Sequence, residues 1–217
     1  MKDWRHLIGT PAEGDAYTWK KLSPEESVKI VATINYSSGT TGAPKGVCIS
    51  HHSLIANVEQ TIFMRFVGKP CTRYTKPPRR WIGFLPLYHA YGQLYTTLMS
   101  SKLQIPIYIM KQFVCTDFLL AIQDYKITQL QVAPPILVML SKRPETAKYE
   151  VSSVGEILCG GAPLAMTLQN EVSERFGVHI RQGCGMTELT CGAVRVPGGV
   201  SDDTGSVGML IRTVNAC

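Results

Sequence analysis

Residues 36–47 read YSSGTTGAPKGV, and the fold turns on how this stretch is read. It packs three glycines, four Ser and Thr hydroxyls and one lysine into a single short loop. Glycines such as Gly39 and Gly42 let backbone N–H groups close on anionic oxygens with no side chain in the way. Ser37, Ser38, Thr40 and Thr41 add donors, and Lys45 adds a full positive charge. That is the composition of a phosphate cradle. It is not the loop of the common NTPases, which sets a glycine directly before the lysine and a Ser or Thr after it; here Pro44 precedes Lys45 and Gly46 follows. Pro44 lacks an N–H and biases Ala43 toward extended geometry, so the chain returns into a strand rather than opening a helix. A plain hairpin turn has a similar composition, and the residues alone leave both readings open.

Outward from the loop, the local patterns alternate. Ser23-Pro24-Glu25-Glu26 combines an N-cap, a first-turn proline and a capping-box glutamate, which predicts a short helix before a strand near residues 31–36. Residues 47–49 form the returning strand. Leu54, Val58 and Ile62 then recur every four residues and predict a helix over about 52–66. Further strands are expected at 81–85, 105–109, 130–132, 154–158 and 178–182. Helices are expected near 91–101, from a Thr116 cap to about 125, from Pro135 to about 141, and along the stripe Leu164, Leu168, Val172 and Phe176, where Glu171 and Arg175 make an exposed i, i+4 pair. Strands separated by helices imply an α/β fold with a mainly parallel, doubly wound sheet and flanking helices. Ligands of such sheets gather at the carboxyl ends of the strands, and residues 84–89, 159–163 and 183–188 all follow such ends.

Bulk composition sets bounds. With 217 residues, 45% of them hydrophobic and 18% charged, the chain buries one sizeable core, and residues 1–217 read as a single domain. The net charge of +6 is modest, and its most basic segment, Arg73 to Arg80, carries two prolines and reads as a solvated loop rather than a nucleic-acid site. The seven cysteines form no CxxC pair, which fits free thiols in a reducing, intracellular compartment, cytoplasmic or peroxisomal. The start, MKDWRHLIG, has no apolar core of signal-peptide length, and no run approaches membrane-spanning length.

Four stretches carry a resemblance: the loop itself, LPLYHAYG at 85–92, ILCGGAPL at 157–164 and QGCGMTE at 182–188. Together and in this order they resemble the adenylate-forming superfamily of acyl-CoA synthetases, luciferases and peptide-synthetase adenylation domains. Residues 132–142, 149–164 and 205–211 read like the 4-coumarate–CoA ligase branch. The resemblance implies a central fragment of the large N-terminal, AMP-binding domain, with the small C-terminal catalytic domain and its lysine absent and residues 212–217 off the family pattern. It implies attack of a carboxylate on the α-phosphorus of ATP, giving an acyl-adenylate and pyrophosphate, and then transfer to CoA. Loop amides, the hydroxyls and Lys45 would hold the β- and γ-phosphates, Thr187 would contact the α-phosphate, and Glu188 would help bind Mg²⁺. His89 would position the reacting carboxylate and Tyr91 would line the acyl pocket. Gly160, Gly161, Ala162 and Pro163, with Gly183, Cys184, Gly185 and Met186, would form the wall where adenine and an aromatic acid meet.

One departure stands out. Where the family carries an aromatic ring that stacks on adenine, this chain has Cys184, which forfeits on the order of 1 kcal/mol of stacking. With no adjacent base in sequence, Cys184 reads as a buried structural thiol rather than a nucleophile. Two other classes remain open: a non-catalytic remnant that binds nucleotide or self-associates through apolar surface, and an unrelated phosphate-binding protein such as a kinase, whose lysine context is missing.

Overall fold

The computed structural model of the protein describes residues 8–37, 42–67 and 79–211. Ser38, Gly39, Thr40 and Thr41 lie outside the described residues, as does most of the basic segment, 73–78.

Two short helices open the described chain. α1 (Pro11–Ala16) and α2 (Pro24–Lys29) begin at Thr10 and Ser23, and each has the reciprocal capping box, closed by Glu13 and Glu26. The loop then proves to join a hairpin. β1 (Val31–Ser37) and β2 (Lys45–Ser50) pair antiparallel, with Ser37 opposite Lys45, so Pro44 stands where the chain re-enters extended geometry. Ser50 caps the long helix α3 (His51–Arg65) by accepting a hydrogen bond from Ser53 N–H.

The rest of the chain builds a seven-stranded sheet in the order β4-β3-β5-β6-β7-β8-β9. β3 (Trp81–Gly83), β4 (Ile107–Ile109), β5 (Gln129–Val132), β6 (Glu156–Cys159) and the first half of β7 (His179–Gly185) run parallel. Between β3 and β4 lies one helical run: α4 (Ala90–Gly92), a π-helical segment (Gln93–Met99) and α5 (Ser100–Leu103). α6 (Cys115–Tyr125), α7 (Pro134–Lys142) and α8 (Met166–Phe176) make the later crossovers.

Alternation along the strands separates two cores. Ile157 and Cys159 point into one with Phe118, Ile122, Leu137 and Val172, while Leu158 points into the other with Val58, Trp81, Leu94 and Met99. Helices therefore cover both faces, as a doubly wound sheet requires.

Several expectations shift. The series does not close at residue 182: β7 continues to Gly185, and β8 (Gly192–Arg195) and β9 (Met209–Leu210) extend the sheet antiparallel. Thr116 does not cap α6. The helix starts at Cys115 after an extended Val114, and Thr116 Oγ1 turns to Asp117 at 3.4 Å. Glu171 and Arg175 do not pair. The Glu171 carboxylate accepts from Lys142 Nζ at 2.9 Å and from Ser141 Oγ, while Arg175 donates to the Ser141 carbonyl. The end of α7 packs on α8 and supplies both a cation and helix-terminal acceptors, which outweigh an i, i+4 pair worth a few tenths of a kcal/mol, on the order of 0.3.

Candidate active site

The turn after β3 brings the second motif to the sheet's carboxyl edge. His89 is the N-cap of α4, its Nδ1 accepting from Tyr91 N–H at 3.2 Å. In the neutral ring this leaves the proton on Nε2, as a donor on an exposed side chain. Tyr91 is both core and wall: its ring is buried, meets Tyr95 edge to face at 5.2 Å, and its hydroxyl donates to the Leu158 carbonyl at 2.9 Å. Burial pushes the Tyr91 phenol well above its ordinary value, so it stays a neutral donor.

β6 and β7 deliver the third and fourth motifs side by side. Beyond Cys159 the chain turns through Gly160 and Gly161, and Gly161 has φ +86°, a conformation that favours glycine. β7 ends in Gly183-Cys184-Gly185, and a Cβ on Gly185 would sit 1.8 Å from the Cys191 carbonyl oxygen, so only glycine lets β8 approach. Thr187, Glu188 and Leu189 then form a short 3₁₀ turn.

These pieces face one another across a cleft of about 680 Å³. Its lining takes Ser37, Pro44 and Lys45 from the hairpin, Tyr88 to Tyr91 from the second motif, Cys159 to Gly161 from the third, and Gly183 to Glu188 from the fourth. Four stretches separated by up to 150 residues of sequence thus meet. Ala162 and Pro163 fall outside this lining and are exposed. Cys184 is exposed on the cleft wall, which corrects its reading as a buried thiol: the antiparallel half of β7 lies beyond the covered part of the sheet. Among the described residues the buried thiols are Cys159 and Cys191, each pushed up to about 12 by burial and therefore inert at neutral pH. All five cysteines among the described residues are free. Ser37 is buried, with an Oγ that finds no protein partner at the cleft's edge.

Residues 5–217 match the protein family described as AMP-binding enzyme. The chain belongs to that family. It is 33% identical over 200 residues to a probable 4-coumarate–CoA ligase 1 of Dictyostelium discoideum, covering 91% of this chain and 34% of that relative. To the 4-coumarate–CoA ligase of Pinus taeda it is 37% identical over 169 residues, covering 77% and 30%. A natural red-emitting luciferase from Phrixothrix hirtus superposes with a TM-score of 0.70 at 35% identity, over 89% of this chain and 35% of that one. The chain spans about a third of the length of the curated relatives it matches. Among the described residues no helix is long and apolar enough to cross a membrane.

In this chain the sequence reading missed a layer of polar side chains beneath the cleft. Asn57 mimics a strand partner, donating to the Gly192 carbonyl at 2.8 Å and accepting from Gly192 N–H at 3.2 Å, and so fixes β8 on α3. Asn35 reaches from β1 to Gln93 at 2.9 Å and ties the hairpin to the π-helical segment. Arg65 is almost wholly buried, over the Trp81 ring at 5.4 Å, and pairs with Glu156 at 3.0 Å; Arg181 takes the other Glu156 oxygen at 2.6 Å. Burial pulls Arg65 down to about 10, with Glu156 opposing that shift. Burial also pushes the Glu156 carboxyl up, but Arg65 and Arg181 win and hold it below its ordinary value. Thr61, Tyr95 and Arg195 belong to the same layer and reach the cleft lining. A charge inside the otherwise apolar run Ala193-Val194-Arg195-Val196 was the available signal for the last of these.

Proposed function

We propose that this chain is part of the nucleotide-binding domain of an ATP-dependent, AMP-forming acid–CoA ligase. In this reading a carboxylate attacks the α-phosphorus of ATP and pyrophosphate leaves. The observation that carries it is the meeting of the hairpin ends, His89, the Gly160-Gly161 turn and the Thr187-Glu188 turn around one cleft of about 680 Å³. The unpartnered Ser37 Oγ supports the phosphate assignment, since a buried hydroxyl without a partner fits an anionic acceptor.

Each side chain then has a physical task. The loop donors, with Ser37, Gly42 and the exposed Lys45, neutralise charge that builds on the leaving pyrophosphate, and Thr187 contacts the α-phosphate. His89, its ring orientation set by the Tyr91 N–H, offers its Nε2 proton to the incoming carboxylate and orients it. The walls at Gly160, Gly161, Gly183, Gly185 and Met186 receive the adenine and acyl groups, and Tyr91 flanks the acid. Glu188 would hold Mg²⁺, which shields phosphate oxygens; a single carboxylate fits an ion that takes its other ligands from phosphate and water. The acid is aromatic and 4-coumarate-like, in keeping with the relatives. Transfer to CoA and localisation inside the cell belong to the longer protein, and self-association would run through exposed apolar side chains such as Trp19, Tyr36 and Leu210.

Carboxylate-dependent ATP–pyrophosphate exchange tests the reading. Exchange that needs the acid, and that falls by about tenfold to a thousandfold on Lys45→Met or Glu188→Gln, supports it. A folded protein that binds nucleotide and shows no exchange with any acid supports the second reading, a non-catalytic binding remnant.

A further inference from the structure

Arg195 is the charged group of the buried layer whose partners do not account for it. Its side chain is 3% exposed and lines the cleft with Thr61 and Tyr95. Only Nη1 is engaged, through long hydrogen bonds to the Thr61 carbonyl at 3.3 Å and the Tyr95 hydroxyl oxygen at 3.4 Å. Nε and Nη2 have no partner, and the nearby Thr61 Oγ1 has none either. Among the described residues no carboxylate pairs with Arg195; Glu156, the acid of this layer, is taken up by Arg65 and Arg181. A buried guanidinium stays charged, so the layer carries uncompensated positive charge.

The free atoms have a shape. Nε and Nη2 form one side-on edge of the guanidinium, two parallel N–H groups spaced for the two oxygens of a carboxylate. Thr61, whose Oγ1 is likewise buried without a partner, lines the same cleft. The surroundings tell which anion fits. Arg195 shares the buried part of the lining with Tyr91, Leu94 and Tyr95, whereas Lys45 and Glu188 are exposed. A departing polyanion belongs with the exposed groups, and the acyl tail of the acid belongs in the buried part.

We propose that Arg195, helped by Thr61, is a specificity-determining residue that receives a second carboxylate carried by the acyl group of the acid being activated. The proposal rests on the acid-activating reading above; it keeps the aromatic acyl group and puts a second acidic group in place of the 4-hydroxyl of a 4-coumarate-like acid.

Calorimetric titration tests it with AMP and three non-hydrolysable acyl-sulfamoyl adenosines bearing cinnamoyl, 4-hydroxycinnamoyl and 4-carboxycinnamoyl groups. The carboxylated analogue should bind tightest, roughly tenfold to a hundredfold better than the unsubstituted one. Arg195→Met should erase that preference and leave cinnamoyl and AMP affinity in place, and Thr61→Val should weaken the carboxylated analogue alone. If Arg195→Met fails to fold, Arg195→Lys, which keeps the charge and loses the bidentate edge, should retain only part of the preference. Equal binding of the three analogues, or strongest binding of the phenol, overturns the proposal and leaves acid activation intact. Equal weakening of AMP and all analogues by Arg195→Met also overturns it, making Arg195 a phosphate or packing contact. Failure of AMP and every analogue to bind the parent protein overturns acid activation and this inference with it.

Discussion

Replacing Glu156 by glutamine should destabilise the protein far more than a surface substitution. The side chain is 18% exposed, and it accepts from Arg65 at 3.0 Å and Arg181 at 2.6 Å. Glutamine keeps the volume and one acceptor but removes the one carboxylate that pairs with the buried Arg65 among the described residues. Breaking a buried pair from one side costs about 3–5 kcal/mol. Arg65 still donates to Gln129, and Arg181 can turn toward solvent, so the lower end, about 3 kcal/mol, is the expected cost. For a domain of this size that corresponds to a drop in Tm of about 6–12 °C. Circular dichroism melts at neutral pH read it directly. The pH dependence adds a second signature. The folded carboxyl titrates below its ordinary 4.5, so its contribution is complete above that value and disappears as pH falls through the folded value. The wild-type and Glu156→Gln melting temperatures should therefore converge in acid. A neutral-pH shift under about 2 °C, set against the 2–4 °C per kcal/mol of such domains, would refute the reasoning. So would a difference that persists unchanged to pH values where the carboxyl is protonated. Changing Arg65 and Glu156 together to methionine should recover most of the loss.

Other expectations follow from single contacts. Gly161→Ala places a Cβ in open space at φ +86° and should cost only strain, about 1–3 kcal/mol, whereas Gly185→Ala drives a Cβ to 1.8 Å from a backbone oxygen and should also deform the cleft, seen as lost nucleotide binding beyond the change in Tm. Among the five described cysteines, iodoacetamide with peptide mapping should modify exposed Cys48 and Cys184 first and leave Cys159 and Cys191 untouched until unfolding, and of these five AMP should protect Cys184. Cys184→Tyr should tighten AMP binding by about 1 kcal/mol, close to fivefold by titration, by restoring a stacking surface.

The framework was legible in the sequence because its cues were local. The Ser23 capping box, the Leu54–Val58–Ile62 spacing and the Pro44 break each act within a few residues, and each has its counterpart in the structure. The convergence of motifs was legible through topology, since parallel strands put their following loops on one edge. What stayed hidden was decided across the fold. Nothing near Thr116 says that Val114 will be held extended, and nothing within α8 says that the end of α7 will claim both Glu171 and Arg175. Arg65, Asn57 and Arg195 look like ordinary helix and strand polar residues until the helix carrying the first two is laid against the strand carrying the third.

β7 belongs to two kinds of pairing at once, bonded in parallel to β6 through Gln182 and antiparallel to β8 from Gly183 onward. The seam falls inside the cleft. A backbone that changes partners at that point divides labour: the inner half is pinned by the deep core, while the outer ribbon hangs from Asn57 and a short turn. Alterations confined to β8 can therefore reshape the chamber beside Arg195 while the parallel β6–β7 pairing that ends at Gln182 stays in place.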